Sequence, residues 1–304
     1  MPRRDTEGGR RLPKVNISIL KTLKYSDHFG FPLTVSEIHQ RLISQTTHSK
    51  EQVIKSLESM VKNNQIQRSG EYYFLPGKIK LVTARQNNLK SSKPQLARVK
   101  QLAHKLSQIP FVKAIYLTGS LAMNNSKTDS DIDFMIITKE GRLWTTRFIL
   151  TLYTSLLGLR RTPGSRKNAG KLCLNLYLTP ESYVLPAHKQ SLYTAYELIQ
   201  AVPVYDPEGT RTALLAANPW IKKFLANFNL PSRFDQSERT LLKRNSRLQA
   251  EEGPAAAGRR VLMGTIENLL FNLQYLYMRP KLTREYITIN SAFFHPHDPS
   301  PQGL

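Results

Sequence analysis

The stretch YLTGSLAMNNSKTDSDIDFMII, residues 116–137, constrains the fold more than any other part of the chain. An apolar run ends on Gly119-Ser120, ten residues intervene, and Asp131-Ile132-Asp133 heads a second apolar run. Glycine at the end of a strand lets backbone N–H groups approach an anion closely. Ser120 would then open a helix, SLAMN, whose unpaired N–H groups and dipole favour a phosphate. Residues two apart on a strand share a face, so Asp131 and Asp133 point one way and Ile132 the other, with about 6–7 Å between the two positions. Carboxylates so placed suit a hard divalent cation, because Mg²⁺ takes one or two carboxylates plus substrate phosphates and water. The plainer alternative for DSDID is a solvated acidic turn before an edge strand.

Composition points toward a polyanion. The chain has 304 residues, enough for two domains, and a net charge of +22, far beyond what solubility needs. RNA, DNA or a nucleotide polyphosphate is the implied partner, and a solvated basic surface is the bland alternative. The single cysteine, Cys173, excludes an internal disulfide and a Cys-rich zinc site, which fits a reducing compartment and makes the cytoplasm the expected location. No membrane association is expected: FILTLYTSLLGL, 148–159, falls short of the ~18 apolar residues of a span and reads as a buried helix.

After a basic leader, 1–12, expected to be disordered, Val15, Ile19, Leu20 and Leu23 repeat at helical spacing. A second helix follows Thr34, with Thr34 and Glu37 as a capping box. A third begins at Ser49, where Gln52 completes another box and Val53, Ile54, Leu57, Met60 and Val61 form the buried face. QIQRSGEYYFLPG then has hairpin chemistry around Ser69-Gly70. Three helices and a hairpin predict a winged helix-turn-helix over 13–77. Lys50, Lys55 and Lys62 on its third helix, with Arg68 in the wing, would meet nucleic acid; contact with protein is the alternative. Residues 78–109 read as a basic linker, NNLKSSKP, ending at Pro94, then a helix through Leu96, Val99, Ala103 and Leu106.

Gly-Ser, ten residues, then Asp-x-Asp, with each half on a β-prone run, resembles the nucleotidyltransferase superfamily related to DNA polymerase beta. The resemblance implies an α+β fold, a mixed sheet with helices, over 110–229. It implies that Gly119 and Ser120 hold a nucleoside triphosphate, ATP first among the choices. It also implies that Asp131 and Asp133 hold Mg²⁺ (or Mn²⁺), which activates an acceptor hydroxyl and steadies departing pyrophosphate. The family's third metal-binding carboxylate should lie on a later strand, and KLCLNLYLT is the candidate. Alternation puts Leu172, Leu174, Leu176 and Leu178 on one face and Cys173, Asn175 and Tyr177 on the other, so Asn175 stands where the acid is expected. An amide carbonyl can coordinate Mg²⁺ but carries no charge and is no general base. Either Glu181 or Glu197 substitutes, or the site binds nucleotide and turns over poorly. Asn175 therefore joins Asp131 and Asp133 in the candidate catalytic set.

GLRRTPGSRKNAGK, 158–171, is a loop with Arg160, Arg161, Arg166, Lys167 and Lys171. Beside a triphosphate it would neutralise phosphates, with Arg161 and Lys171 as candidates, or guide a nucleic-acid acceptor; a solvated loop is the even alternative. Lys139, Arg142 and Arg147 are weaker candidates of the same kind, and Trp144 reads as helix packing. The segment 230–304 is expected to be a helical and extended C-terminal piece in which EEGPAAAGRR is a flexible break. His295, His297 and Asp298 read as an extended surface segment beside prolines in preference to metal ligands. Two functions follow: an enzyme transferring a nucleoside monophosphate to a hydroxyl on a nucleic-acid end or a protein, or a weakened relative that senses nucleotide and binds nucleic acid. Oligomeric state is open.

Overall fold

A computed structural model of the chain describes residues 13–161, 169–229, 254–283 and 285–294, with 254–263 described through the backbone alone. The leader 1–12, Arg166, Lys167, His295, His297 and Asp298 lie outside the described residues. The chain divides into two compact units. The first holds the residues up to Ala84 with Lys222–Phe228; the second holds Arg85–Ile221 and the part of the chain from Asn229 to Pro299.

In the first unit, α1 (Lys14–His28), α2 (Val35–Gln40) and α3 (Lys50–Lys62) accompany a three-stranded antiparallel sheet of β1 (Leu33–Thr34), β2 (Gln67–Ser69) and β3 (Tyr72–Phe74), in the order β1-β3-β2. Both capping boxes form, Thr34 with Glu37 and Ser49 with Gln52, so orphan N–H groups at the starts of α2 and α3 are met by side chains. Ile19, Ile38, Val53, Leu57 and Met60 are fully buried, while Lys50, Lys55, Lys62 and Arg68 are exposed. Lys222–Phe228, expected to end the second domain, belongs here. The Asn227 amide donates to the carbonyls of His39 (2.9 Å) and His48 (3.0 Å) and accepts from His48 N (2.8 Å), and Ser44 exchanges backbone bonds with Phe224 and Ala226.

The stretch expected to be a linker is helical: α4 runs Lys80–Ser107 with Pro94 inside it. Its Asn and Ser residues read as loop chemistry because they are polar, but they are polar in order to dock on the segment between the Gly-Ser turn and the aspartates. Asn88 Nδ2 donates to Asn125 Oδ1 (2.9 Å), Ser91 Oγ to the Ser126 carbonyl (2.5 Å), and Ser126 N to Ser92 Oγ (3.1 Å). Ser92 and Ser126 are fully buried.

The second unit is built on a mixed six-stranded sheet. Its strands are β4 (Val112–Thr118), β5 (Ile132–Thr138), β6 (Leu172–Leu178), β7 (Val202–Tyr205), β8 (Tyr286–Ile287) and β9 (Ser291–Phe293), in the order β7-β4-β5-β6-β9-β8. β5 and β6 are parallel and the other neighbours antiparallel. The C-terminal segment is thus not only an appendage, since β9 hydrogen-bonds to β6. α5 (Gly119–Ala122) follows β4, α6 (Leu143–Leu156) follows β5, and α7 (Leu192–Gln200) and α8 (Thr210–Ala216) flank β7. α9 (Pro254–Met278) starts within the expected break, with Pro at a position where a missing N–H costs little, and packs on α6. One sheet face, with Ile115, Leu117, Ile132, Phe134, Ile136 and Tyr177, joins Val99, Leu106 and Trp144 in the core.

α6 has no cap of its own, since Arg142 makes no capping bond. Glu267 of α9, 3 % exposed, supplies it by accepting from Trp144 N (2.5 Å), Thr145 N (3.1 Å) and Thr145 Oγ1 (2.6 Å). A carboxylate satisfies those orphan donors and suits the positive end of the helix. Trp144 is buried, its indole N–H donating to the Thr288 and Ile289 carbonyls (both 3.1 Å), as packing predicts. The helix expected to be buried is so on one side only: Phe148, Leu152 and Leu156 are exposed. Among the described residues no helix is long and apolar enough to cross a membrane.

Candidate active site

β4 delivers the turn. Thr118 ends the strand, and Gly119 and Ser120 are exposed. Gly119 has φ +66°, the left-handed region that disfavours any side chain. A Cβ there would come under 3.0 Å from Asp133 Oδ2, 3.1 Å from Cγ and 3.3 Å from the Asp133 Cβ. Glycine is therefore required twice, by the backbone angle and by the carboxylate lying against it. The helix after the turn is a single turn of four residues, shorter than expected, and closes with Asn124 at φ 53°.

β5 delivers the acids. Ile132 is fully buried in the core, while Asp131 and Asp133 are half-buried on the opposite face, as the period of two predicts. The head of the strand is pinned by backbone bonds from Ile132 N to the Lys171 carbonyl and from Gly170 N to the Ser130 carbonyl (both 2.8 Å).

β6 departs from strict alternation. Asp133 pairs with Cys173 and Phe134 with Leu174, but Met135 pairs with Leu176, which leaves Asn175 as an extra residue in a bulge. Beyond it the faces exchange: Tyr177 joins Leu172 and Leu174 in the core instead of lying opposite them. Asn175 is 4 % exposed, and its Nδ2 donates to Asp133 Oδ1 at 2.9 Å while its Oδ1 is buried without a partner. On the other flank, Thr118 is the cross-strand partner of Asp133 and its buried Oγ1 is also without a partner.

Cys173, in register with Asp133, shares the face of the aspartates. One ligand atom each from Asp131, Asp133 and Cys173 lies within 4.8 Å of the others. Burial pushes the Cys173 thiol up to about 12, and the charges of Asp133 and Asp131 add to the effect. Glu181 and Glu197, the alternative acids, are not in this group, and Glu181 is exposed on a turn after β6.

Arg161 and Lys171, the two phosphate candidates of the loop, each bond within the protein. Leu159–Arg161 runs beside Leu172, with Arg161 N donating to the Leu172 carbonyl (2.9 Å), and this carries the Arg161 guanidinium to Asp131 Oδ2 at 2.6 Å. Burial lowers the Arg161 pKa, but the charge and hydrogen bond of Asp131 outweigh it and raise it on balance. Lys171 donates through Nζ to the Gly158 carbonyl. Arg147, a weak phosphate candidate by sequence, is buried at 8 % exposure between the rings of Trp144 and Phe294, with burial pushing it down to about 10. Arg142 bonds its neighbour Gly141 and covers Phe111, and Lys139 is exposed.

Cys173 and Thr118 are the participants that sequence reasoning passed over. The signal for Cys173 was present, because it lies two residues before Asn175.

A glycine turn, a carboxylate pair at the head of the next strand and a parallel third strand beside them define a mixed α+β domain with an acidic cluster against a glycine turn at one sheet end. Residues 100–163 match the family model described as Polymerase beta, Nucleotidyltransferase. The match spans the C-terminal end of α4, then β4, the turn, β5 and α6, stops before β6, and supports nucleotidyl transfer in general. No curated protein and no solved structure matches the chain.

The residues present fit a divalent cation. Two carboxylates converge with the Cys173 sulfur, and the amide bonded to Asp133 keeps a buried oxygen that lacks a donor.

Proposed function

We propose that the second unit transfers a nucleoside monophosphate from a triphosphate, ATP first among the candidates, to an acceptor hydroxyl. The bond from the α-phosphorus to the bridging oxygen breaks, a bond to the acceptor oxygen forms, pyrophosphate leaves and the hydroxyl proton passes to solvent. The observation that carries this reading is the close approach of Asp133 to Gly119, which brings an anion cradle and a cation ligand together. Gly119 and Ser120 offer exposed backbone to the triphosphate, and Asp131 and Asp133 would hold Mg²⁺ or Mn²⁺. A bound ion supplies Lewis-acid activation and neutralises phosphate charge. Asn175 orients Asp133 through its amide N–H. Arg161, 46 % exposed, is free to pass from Asp131 to a phosphate once a cation takes its place.

The acceptor we propose is a nucleic-acid end or a protein bound to one. The net charge of +22 supports it, together with a first unit read as a winged helix-turn-helix whose α3 exposes Lys50, Lys55 and Lys62. The expected location is the cytoplasm. A second reading, a nucleotide sensor with little turnover, is favoured by one observation: the β6 neighbours of Asp133 are Cys173 and Asn175, so no third carboxylate stands there to take the acceptor proton.

The test is label transfer from each α-labelled triphosphate to total RNA or cell protein with Mg²⁺ or Mn²⁺. Transfer that disappears in Asp131→Ala and Asp133→Ala supports the enzyme. Ion-dependent nucleotide binding without transfer selects the sensor, and absence of both rejects the site.

A further inference from the structure

We infer that Cys173 is the third ligand of the cation site and that it selects a first-row divalent ion of borderline softness, cobalt or zinc, over magnesium. The inference rests on the reading of the site as one that binds a divalent cation. It names the ion class and a ligand that the paired aspartates alone do not supply.

Three observations carry it. Register sets Cys173 directly beside Asp133 on the parallel neighbour strand, and the Cys173 Sγ and one carboxylate oxygen each of Asp131 and Asp133 fall within 4.8 Å of one another. Atoms sharing one ion at about 2.0–2.3 Å each stand at most ~4.6 Å apart, so the three need only a small closing movement to meet one ion. The bulge then turns Asn175 inward: its amide is anchored by the 2.9 Å bond to Asp133, and its Oδ1 is buried with nothing to receive. A buried carbonyl oxygen without a donor destabilises the fold unless a ligand meets it, and this one belongs to the amide that is bonded to Asp133. Finally, among the described residues this is the one group of three His, Cys, Asp or Glu side chains disposed to hold an ion.

Donor chemistry decides the ion. Magnesium holds oxygen ligands in a strict octahedron and gains little from sulfur. Thiolate beside carboxylate favours the later first-row ions, whose affinity rises from manganese through cobalt, with zinc also high. On binding, the S–H bond of Cys173 gives way to a sulfur–metal bond and the proton passes to solvent. Arg161, about half exposed, yields its place on Asp131 to the ion.

Metal-free full-length protein is titrated with Co²⁺ while near-ultraviolet absorption is followed, and Mg²⁺, Mn²⁺ and Zn²⁺ affinities are measured by calorimetry. The expected result is a thiolate-to-cobalt charge-transfer band in the parent protein that is missing in Cys173→Ser, although cobalt still binds. Co²⁺ and Zn²⁺ should bind at least ~10-fold more tightly than Mg²⁺, a ratio that collapses toward ~3-fold in the variant. Cys173→Ala, checked for an unchanged thermal transition with no metal, separates loss of a ligand from loss of the fold. Cobalt bound without the band, or an ion preference unchanged in both variants, overturns the inference and leaves an all-oxygen site and the nucleotidyl-transfer reading standing. Failure of every divalent ion to bind overturns both.

Discussion

Gly119 and Asp133 are fitted to each other: the Asp133 carboxylate occupies the space where a side chain at residue 119 would begin. Gly119→Ala therefore meets a left-handed φ of +66° and a carboxylate at once. Strain and overpacking together should cost about 2–4 kcal/mol, a fall of roughly 5–12 °C in Tm. Because the relief available is to push Asp133 aside, transfer should drop at least ~100-fold even in the folded fraction. Thermal denaturation alongside label transfer checks this; an alanine variant with normal turnover would show that the approach of the two residues is incidental.

Glu267 makes a different kind of prediction, because it touches α6 and not the site. Its carboxylate answers three donors in the first turn of α6 from a buried position. Glu267→Ala leaves those donors unmet and should lower stability by about 2–4 kcal/mol. Glu267→Gln, which keeps one acceptor oxygen, should lose less. Denaturant midpoints for the pair measure it, and turnover per folded molecule should be unchanged.

The thiol of Cys173 gives a pH test. With its folded pKa pushed up to about 12 against 9.0 for an ordinary thiol, the group favours the folded state while it is neutral. That contribution is complete below pH 9 and is lost as pH rises from 9 toward 12. The parent protein should lose Tm over that window more steeply than Cys173→Ala. At pH 8 in metal-free buffer, alkylation by iodoacetamide should be roughly a thousandfold slower than for a free thiol. Tyr177, also pushed up to about 12 by burial, starts from 10.0, so the lower part of the window reports the thiol.

Local rules made the turn, the paired aspartates and both capping boxes legible in the sequence, since each is set by residues within a few positions. What they missed was set by distant partners. NNLKSSKP has linker composition, yet it is helical because Ser91 and Ser92 bond Ser126, about thirty-five residues away. Alternation along β6 fails at Asn175 because a bulge shifts its register against β5, and a period of two has no term for one inserted residue. Arg161 and Lys171 looked alike as loop cations. A backbone bond from Arg161 to Leu172 turns one of them onto Asp131, while the other bonds Gly158.

Removing the Arg161 guanidinium should free Asp131 for a cation. The pair is partly exposed, so its worth is about 0.5–1 kcal/mol and the divalent ion should bind roughly 2–5-fold more tightly in Arg161→Ala. If the same guanidinium then engages phosphate, nucleotide affinity should fall in the variant while ion affinity rises. Calorimetry with each ligand in turn reads the two effects, and a parallel loss of both would show that Arg161 acts by holding the loop.

Asn175→Asp sets the strongest test of how the site works. In the parent protein Asn175 Nδ2 donates to Asp133 Oδ1 at 2.9 Å, so the substitution replaces a donor with a second carboxylate at hydrogen-bonding distance. Two carboxylates that close do not both ionise readily without a cation, so one should retain a proton well above the ordinary carboxylate range. Metal-free stability should therefore fall by about 1–3 kcal/mol at neutral pH, and less in acid, where a shared proton restores the bond. A divalent ion neutralises the added charge, so it should bind about tenfold more tightly and recover the lost Tm. If proton acceptance from the acceptor hydroxyl limits turnover, the new carboxylate should raise the transfer rate; if the rate stays flat while the ion binds tighter, the limit lies in acceptor binding. Thermal transitions with and without Mn²⁺ at two pH values, beside transfer rates, separate the outcomes, and a variant that is more stable without metal contradicts the donor role of Asn175.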